Sequence, residues 1–190
     1  MWISTALLIG LAGNLDNLGV GVAYGARRIG IPFSSNLLIA VVATLGTATF
    51  ALAGGSLKHL LQSAAAGAIG ATCIIAVGVW VIWPRRAREE SIELILHPEE
   101  ADVDRSGDIS LSEALALSIG LGVNAWAGGF SGGLVGVPAW GVALATGGFS
   151  LATLWVGERI GKHTLGRWLG ARANIVAGAL LILVGVKNVV

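Results

Sequence analysis

The sequence predicts an all-α membrane protein: six transmembrane helices forming two inverted three-helix repeats, joined by a cytoplasmic EF-hand-like linker. Three observations carry this. Of the 190 residues, 55% are hydrophobic and only 12% are charged, about half the roughly 25% of a soluble domain. The charges are segregated: thirteen of them lie between Arg85 and Glu113. The pieces on either side of that stretch resemble each other in order.

The composition also excludes several classes. A net charge of +1 leaves no basic surface for nucleic acid. A single cysteine excludes an intrachain disulfide. The apolar runs are continuous, not alternating, so they are not barrel strands.

Apolar windows place the spans at 2–24, 35–55, 63–83, 111–135, 138–157 and 173–190. Each is near the ~20 residues that a helix needs to cross a bilayer. The stretch 114–157 has no charged residue. At ~1.5 Å per residue it is long enough for about two crossings, and Gly132, Gly133, Gly136 and Pro138 supply the break. The first span has no basic leader and carries an acid, so it reads as a retained helix, not a cleaved signal.

Basic residues set the orientation. Arg27, Arg28, Arg85, Arg86, Arg88, Arg105, Arg159, Lys162, Arg167 and Arg172 fall in the links after spans one, three and five, whereas Lys58 and Lys187 fall on the other side. The positive-inside bias puts those links in the cytoplasm of a bacterial cell and both termini outside. Trp2, Trp80, Trp83, Trp140 and Trp155 lie near span ends, as interfacial residues do. Trp126 lies mid-span.

The repeat pairs residues 1–84 with residues 111–190 across the linker 85–110. Residues 11–21 lie over 119–129, placing Asp16 opposite Asn124. Lys58-His59 lies over Lys162-His163, and residues 71–79 lie over 178–186. Three spans is an odd number, so the second half is inverted. Transporters use that architecture, with a site at midplane. The plainer alternative is chance likeness among Gly-rich helices.

Asp16 is the one acid before Glu89, and it lies inside an apolar run. Acids at such depth usually face the bundle interior and carry function. Asn14, Asn17 and the counterpart Asn124 add amide oxygens, and oxygen ligands suit hard divalent cations. The plainer alternative is a neutral Asp16 bonded to Asn124 or a threonine, which only docks helices. Thr44 and Thr47 in span two, with Thr146 and Ser150 in span five, offer hydroxyls to the same site. Their alternative is bonding to helix backbone.

The linker holds the most specific pattern. Residues 102–113 fit a twelve-residue EF-hand loop, with Asp102 and Asp104 at positions 1 and 3 and Ser106 at position 5. Gly107 is at the turn, Asp108 at position 7, and Glu113 at position 12. Ser106 departs from the stricter Asp/Asn pattern. The loop reads as a Ca2+ site, with a solvated acidic loop as the alternative. Ser110 and Glu113 also fit a capping box, which competes for the same carboxylate.

Gly129-Phe-Ser131-Gly-Gly133 matches a serine nucleophile pattern and resembles that of rhomboid proteases. A nucleophile needs a base. Neither His59, His97 nor His163 lies in the sixth span, so no enzyme is expected. His59 and His163 lie at span ends and read as interfacial residues.

Together these residues resemble the MntP-type manganese efflux pumps, in their YtaF branch of sporulation membrane proteins, within the LysE superfamily. The most specific pieces are residues 14–28 and 101–113. The resemblance implies divalent-cation export, with Mn2+ as the transported ion and membrane acids in both halves as ligands. Asp16 matches the first acid. The second falls on Asn124, which cannot ionise. The metal-site expectation is therefore Asp16, Asn17, Asn124 and Thr47 at midplane, and Asp102, Asp104, Ser106, Asp108 and Glu113 in the loop. The expected partners are a divalent ion, the lipid bilayer and, through close Gly packing, a second copy of the chain. The rival readings are a Ca2+ transporter and a Ca2+-sensing membrane scaffold.

Overall fold

The computed structural model describes residues 2–60, 68–73, 75, 76, 79 and 101–162. They form helices α1 (Trp2–Ala12), α2 (Leu15–Arg27), α3 (Phe33–Leu60), α4 (Leu111–Leu134) and α5 (Ala139–Gly161). Parts of 68–79 are also helical. Four segments are long and apolar enough to cross a membrane: Trp2–Arg27, Phe33–His59, Leu111–Leu134 and Ala139–Gly161. They correspond to expected spans one, two, four and five. The sixth span, and most of the third, lie outside the described residues, as do the domain junction at 84/85 and His163.

The first span differs from its expectation. It is two helices, broken at Gly13 and Asn14. Asn14 takes φ −122° and ψ 10°. Its side-chain Nδ2 donates to the Gly10 carbonyl at 2.7 Å, which the broken ladder would otherwise leave unpaired. Gly13 lets the break sit against the backbone of Ala125 on α4. Irregular backbone at membrane depth is tolerated when buried in protein, as here.

Local chemistry explains the other ends. α2 closes on Arg28, which takes a left-handed φ of 62°, and the Ile29 N–H reaches back to the Tyr24 carbonyl. Pro32 precedes α3, where a missing N–H does no harm. Ser110 and Glu113 form a full capping box on α4. α4 ends at Gly136, whose φ of +87° suits glycine.

The helices pack as two parallel pairs that oppose each other. Along α3 and α4, Gly129 lies on Thr47, Gly133 on Ala51 and Gly136 on Lys58. Along α2 and α5, Gly21 lies on Leu154 and Gly25 on Glu158. In four of these contacts the glycine meets partner backbone, so the missing side chain sets the helix separation. α3 crosses α5 where Thr44 meets Gly147, and α1 crosses α4 where Ile9 meets Gly128 and Gly132.

Two apolar clusters cap this bundle. At the linker end, Val20, Tyr24, Ile29, Ile39, Ile109, Leu117, Leu121 and Leu154 pack together. At the other end are Ala6, Ile9, Ala12, Val137 and Val142. Asp16 and Asn17 of α2, Asn124 of α4 and Ser150 of α5 lie between them. Trp2 meets Trp140 edge-on at 5.0 Å at the far end, and Arg159 lies 4.3 Å over Trp155 at the linker end.

Candidate metal centre

Asp16 sits in the first turn of α2, directly after the helix break. That turn is the positive end of the helix dipole and favours a carboxylate. One Asp16 oxygen accepts the Asn17 backbone N–H at 3.0 Å, and the other accepts Asn124 Nδ2 at 2.8 Å. Asp16 is 8% exposed. The Asp16–Asn124 contact joins α2 to α4.

Asn17 extends the group to α5. Its Nδ2 donates to Asn14 Oδ1 and to Ser150 Oγ, both at 3.2 Å. Its Oδ1 is buried without a partner. Thr47 and Thr146 are also buried with unpartnered hydroxyls, while Thr44 donates to the Ala40 carbonyl of its own helix. The structure therefore brings Asp16, Asn17 and Asn124 together and recruits Ser150. Thr47 stays outside the hydrogen-bonded set, with its methyl against Gly129.

Net chemistry follows from these groups. Asp16 supplies a negative charge, Asn17 an unspent carbonyl oxygen, and Ser150 a hydroxyl. This is a hard, oxygen-only donor set. Asn124 presents its amide nitrogen to Asp16, so its oxygen joins a cation only after the amide turns over.

The second group is the linker loop. Single carboxylate oxygens of Asp102, Asp104 and Glu113 lie within 4.8 Å of one another. Asp102 accepts the Ser106 and Gly107 N–H groups at 2.9 Å each. Asp104 accepts the Ser106 N–H at 2.9 Å. Hydrogen bonding by Ser106 holds the Asp104 carboxyl below the usual carboxylate range. Ser106 Oγ donates to the Asp108 carbonyl at 2.8 Å. Arg105 and Gly107 both take left-handed φ, which folds the chain sharply around the acids.

Glu113 is already engaged. One oxygen accepts the Val103 N–H at 2.7 Å, and the other accepts both the N–H and the hydroxyl of Ser110. The loop is also pinned to the turn between α2 and α3. Gly30 N–H donates to the Gly107 carbonyl at 2.8 Å, Ile109 N–H donates to the Gly30 carbonyl at 2.9 Å, and Ser35 Oγ donates to the Ile109 carbonyl at 2.6 Å. Ile109 is fully buried beneath it.

Three features escaped the sequence reading. The helix break was signalled by Gly13-Asn14, a turn-forming pair inside an apolar run. The pinning of Gly30 to the loop left no sequence signal. Glu158 is buried, with Oε1 accepting from Lys162 at 2.9 Å and from the Ile31 N–H at 3.4 Å. Ser131, the nucleophile of the rejected protease pattern, donates to the Ala127 carbonyl of its own helix.

Comparison with known proteins bears on both places. The family described as "Putative manganese efflux pump" matches residues 91–189, which include the loop and Asn124. The chain belongs to this family. It is similar over 97% of its length to the "Probable sporulation protein YtaF" of Bacillus subtilis (strain 168), with 27% identity and 98% of that relative covered. That similarity reaches Asp16 and supports the YtaF branch. No solved structure matches. The protein is thus a multi-pass membrane protein of an efflux-pump family, and that family consists of transporters, not enzymes.

Proposed function

We propose that the protein exports a divalent cation, Mn2+ foremost, through a midplane centre formed by Asp16, Asn17 and Asn124, with Ser150 beside them and Thr47 outside the group. The observation that carries this reading is the Asp16 carboxylate in the break of a membrane-spanning helix. Such breaks aim helix ends at ions in transporters. The apolar clusters on both sides of the polar layer fit a carrier with its centre shut off from both faces. The Asp16–Asn124 bond matches the helix-docking alternative, but docking leaves the unspent Asn17 oxygen unexplained.

The two halves act as inverted repeats. Gly21 and Gly25 of α2 contact α5, and Gly129 and Gly133 of α4 contact α3. Both glycine pairs are offset by the same spacing that separates Asp16 from Asn124, and the two helix pairs run in opposite directions. The linker face lies in the bacterial cytoplasm, and both termini lie outside.

The loop 102–113 takes Ca2+ through Asp102, Asp104, Ser106, the Asp108 carbonyl and Glu113. The donors fit: three carboxylates converge and position 7 presents a carbonyl. Binding requires Glu113 to give up cap bonds to Ser110 or Val103. The ion would supply charge neutralisation that ties the loop to the start of α4.

Flux in proteoliposomes, with Mn2+, Ca2+, Mg2+ and Cd2+ presented separately, tests this. Asp16→Ala abolishes flux, while Asp102→Ala/Glu113→Ala retains a measurable rate and loses Ca2+ binding. A Ca2+ preference would make the ion itself the substrate. Absence of all flux with intact loop binding would sink the pump and leave the Ca2+-sensing scaffold.

A further inference from the structure

Asn36 lies in the first turns of α3, on the linker side of the Asp16 centre, and is 4% exposed. Its Nδ2 donates to the Leu151 carbonyl of α5 at 3.1 Å. Its Oδ1 has no partner. The neighbour of Leu151 is Ser150, whose hydroxyl holds Asn17 Nδ2. Two buried amides from different helices are therefore anchored by their nitrogens to adjacent residues of α5, and both keep an unspent oxygen.

A buried carbonyl oxygen without a donor is disfavoured and rare. Two of them, on amides anchored to the consecutive residues Ser150 and Leu151, are acceptors left open to a positive group. Because Nδ2 is fixed by Leu151, turning the amide over would place oxygen against oxygen. The unspent atom of Asn36 is thereby held as an acceptor.

We propose that Asn36 is a further cation-contacting residue, whose Oδ1 receives a hard divalent ion between the linker face and Asp16. This rests on the transport reading of the Asp16 centre. Its position makes it a step on the route to Asp16. An amide oxygen suits such a step, since it is an uncharged hard donor of the kind that Mn, Mg and Ca take.

The test is Mn2+ titration of the purified protein in detergent, following free Mn2+ by electron paramagnetic resonance. Wild type, Asp16→Ala, Asn36→Ala and Asn36→Asp are compared. Asn36→Ala weakens binding about tenfold. Asn36→Asp keeps an oxygen but loses the Leu151 donor, and it binds at least as tightly as wild type. Equal losses in both Asn36 variants would mean an anchoring role only and overturn the proposal. So would unchanged binding in Asn36→Ala, while loss in Asp16→Ala would leave the pump reading standing. A wild type that binds no Mn2+ would overturn the transport reading first.

Discussion

The Asp16 group and the linker loop are both oxygen-rich, yet they are built in opposite ways. In the loop, the acids and the donors that hold them lie within twelve consecutive residues, and most donors are backbone N–H groups. In the centre, Asp16 is held by Asn124 and reaches Ser150 through Asn17, so three helices must meet before the group exists. A local turn organises its ligands by its own dihedral angles. A tertiary centre depends on helix packing, and here the packing depends on glycines. The family match covers the loop and Asn124, whereas the full-length relative also covers Asp16.

The largest expected effect separates the two directly. Gly133 meets the Ala51 carbonyl, so a side chain there pushes α3 from α4. Gly133→Val is expected to cost about 3 kcal/mol, the upper end for overpacking. Thermal unfolding in detergent measures it. Mn2+ binding at the centre should fall with it, while Ca2+ titration of the loop stays near wild type.

A smaller effect sharpens the centre alone. Asn124→Asp places a second carboxylate beside Asp16. Mn2+ affinity is expected to rise about tenfold, or ~1.4 kcal/mol, with loop affinity unchanged. Isothermal titration of both ions would show whether the charge is confined to the centre.

The smallest effect touches the loop alone. The Asp104 carboxyl is held below its ordinary range by Ser106. A group with a lowered folded pKa contributes stability above its unfolded value and loses it as pH falls through the lowered one. Protection of the Ser106 N–H from hydrogen exchange should therefore persist to about pH 4 and decline below it. Asp104 is exposed, so high salt should shrink the effect.

Much of the loop was legible in the chain because its logic is linear. Spacing alone placed Asp102, Asp104, Ser106 and Glu113 together and flagged the competition between cap and metal. Laying residues 11–21 over 119–129 set Asp16 opposite Asn124, and the two side chains are hydrogen-bonded. The break after Ala12 had only the Gly13-Asn14 pair to mark it, and an averaged apolar window passes over one lost backbone bond. Asn36 also passed unnoticed. A lone amide at the start of an apolar run looks like a helix end until its nitrogen is seen on Leu151.

What the sequence by itself determined is the solvent each segment prefers. Apolar length marks four segments as long enough to cross a membrane. Turn dihedrals and carboxylate spacing fix the loop. Only the tertiary structure decided which faces meet. Gly30 is locked to the loop, and Gly21 and Gly133 bring backbones into contact. Asp16 finds Asn124 only because α1 stops short and α2 begins beside α4. These outcomes depend on helix separation and direction, which arise from packing between residues far apart in the chain.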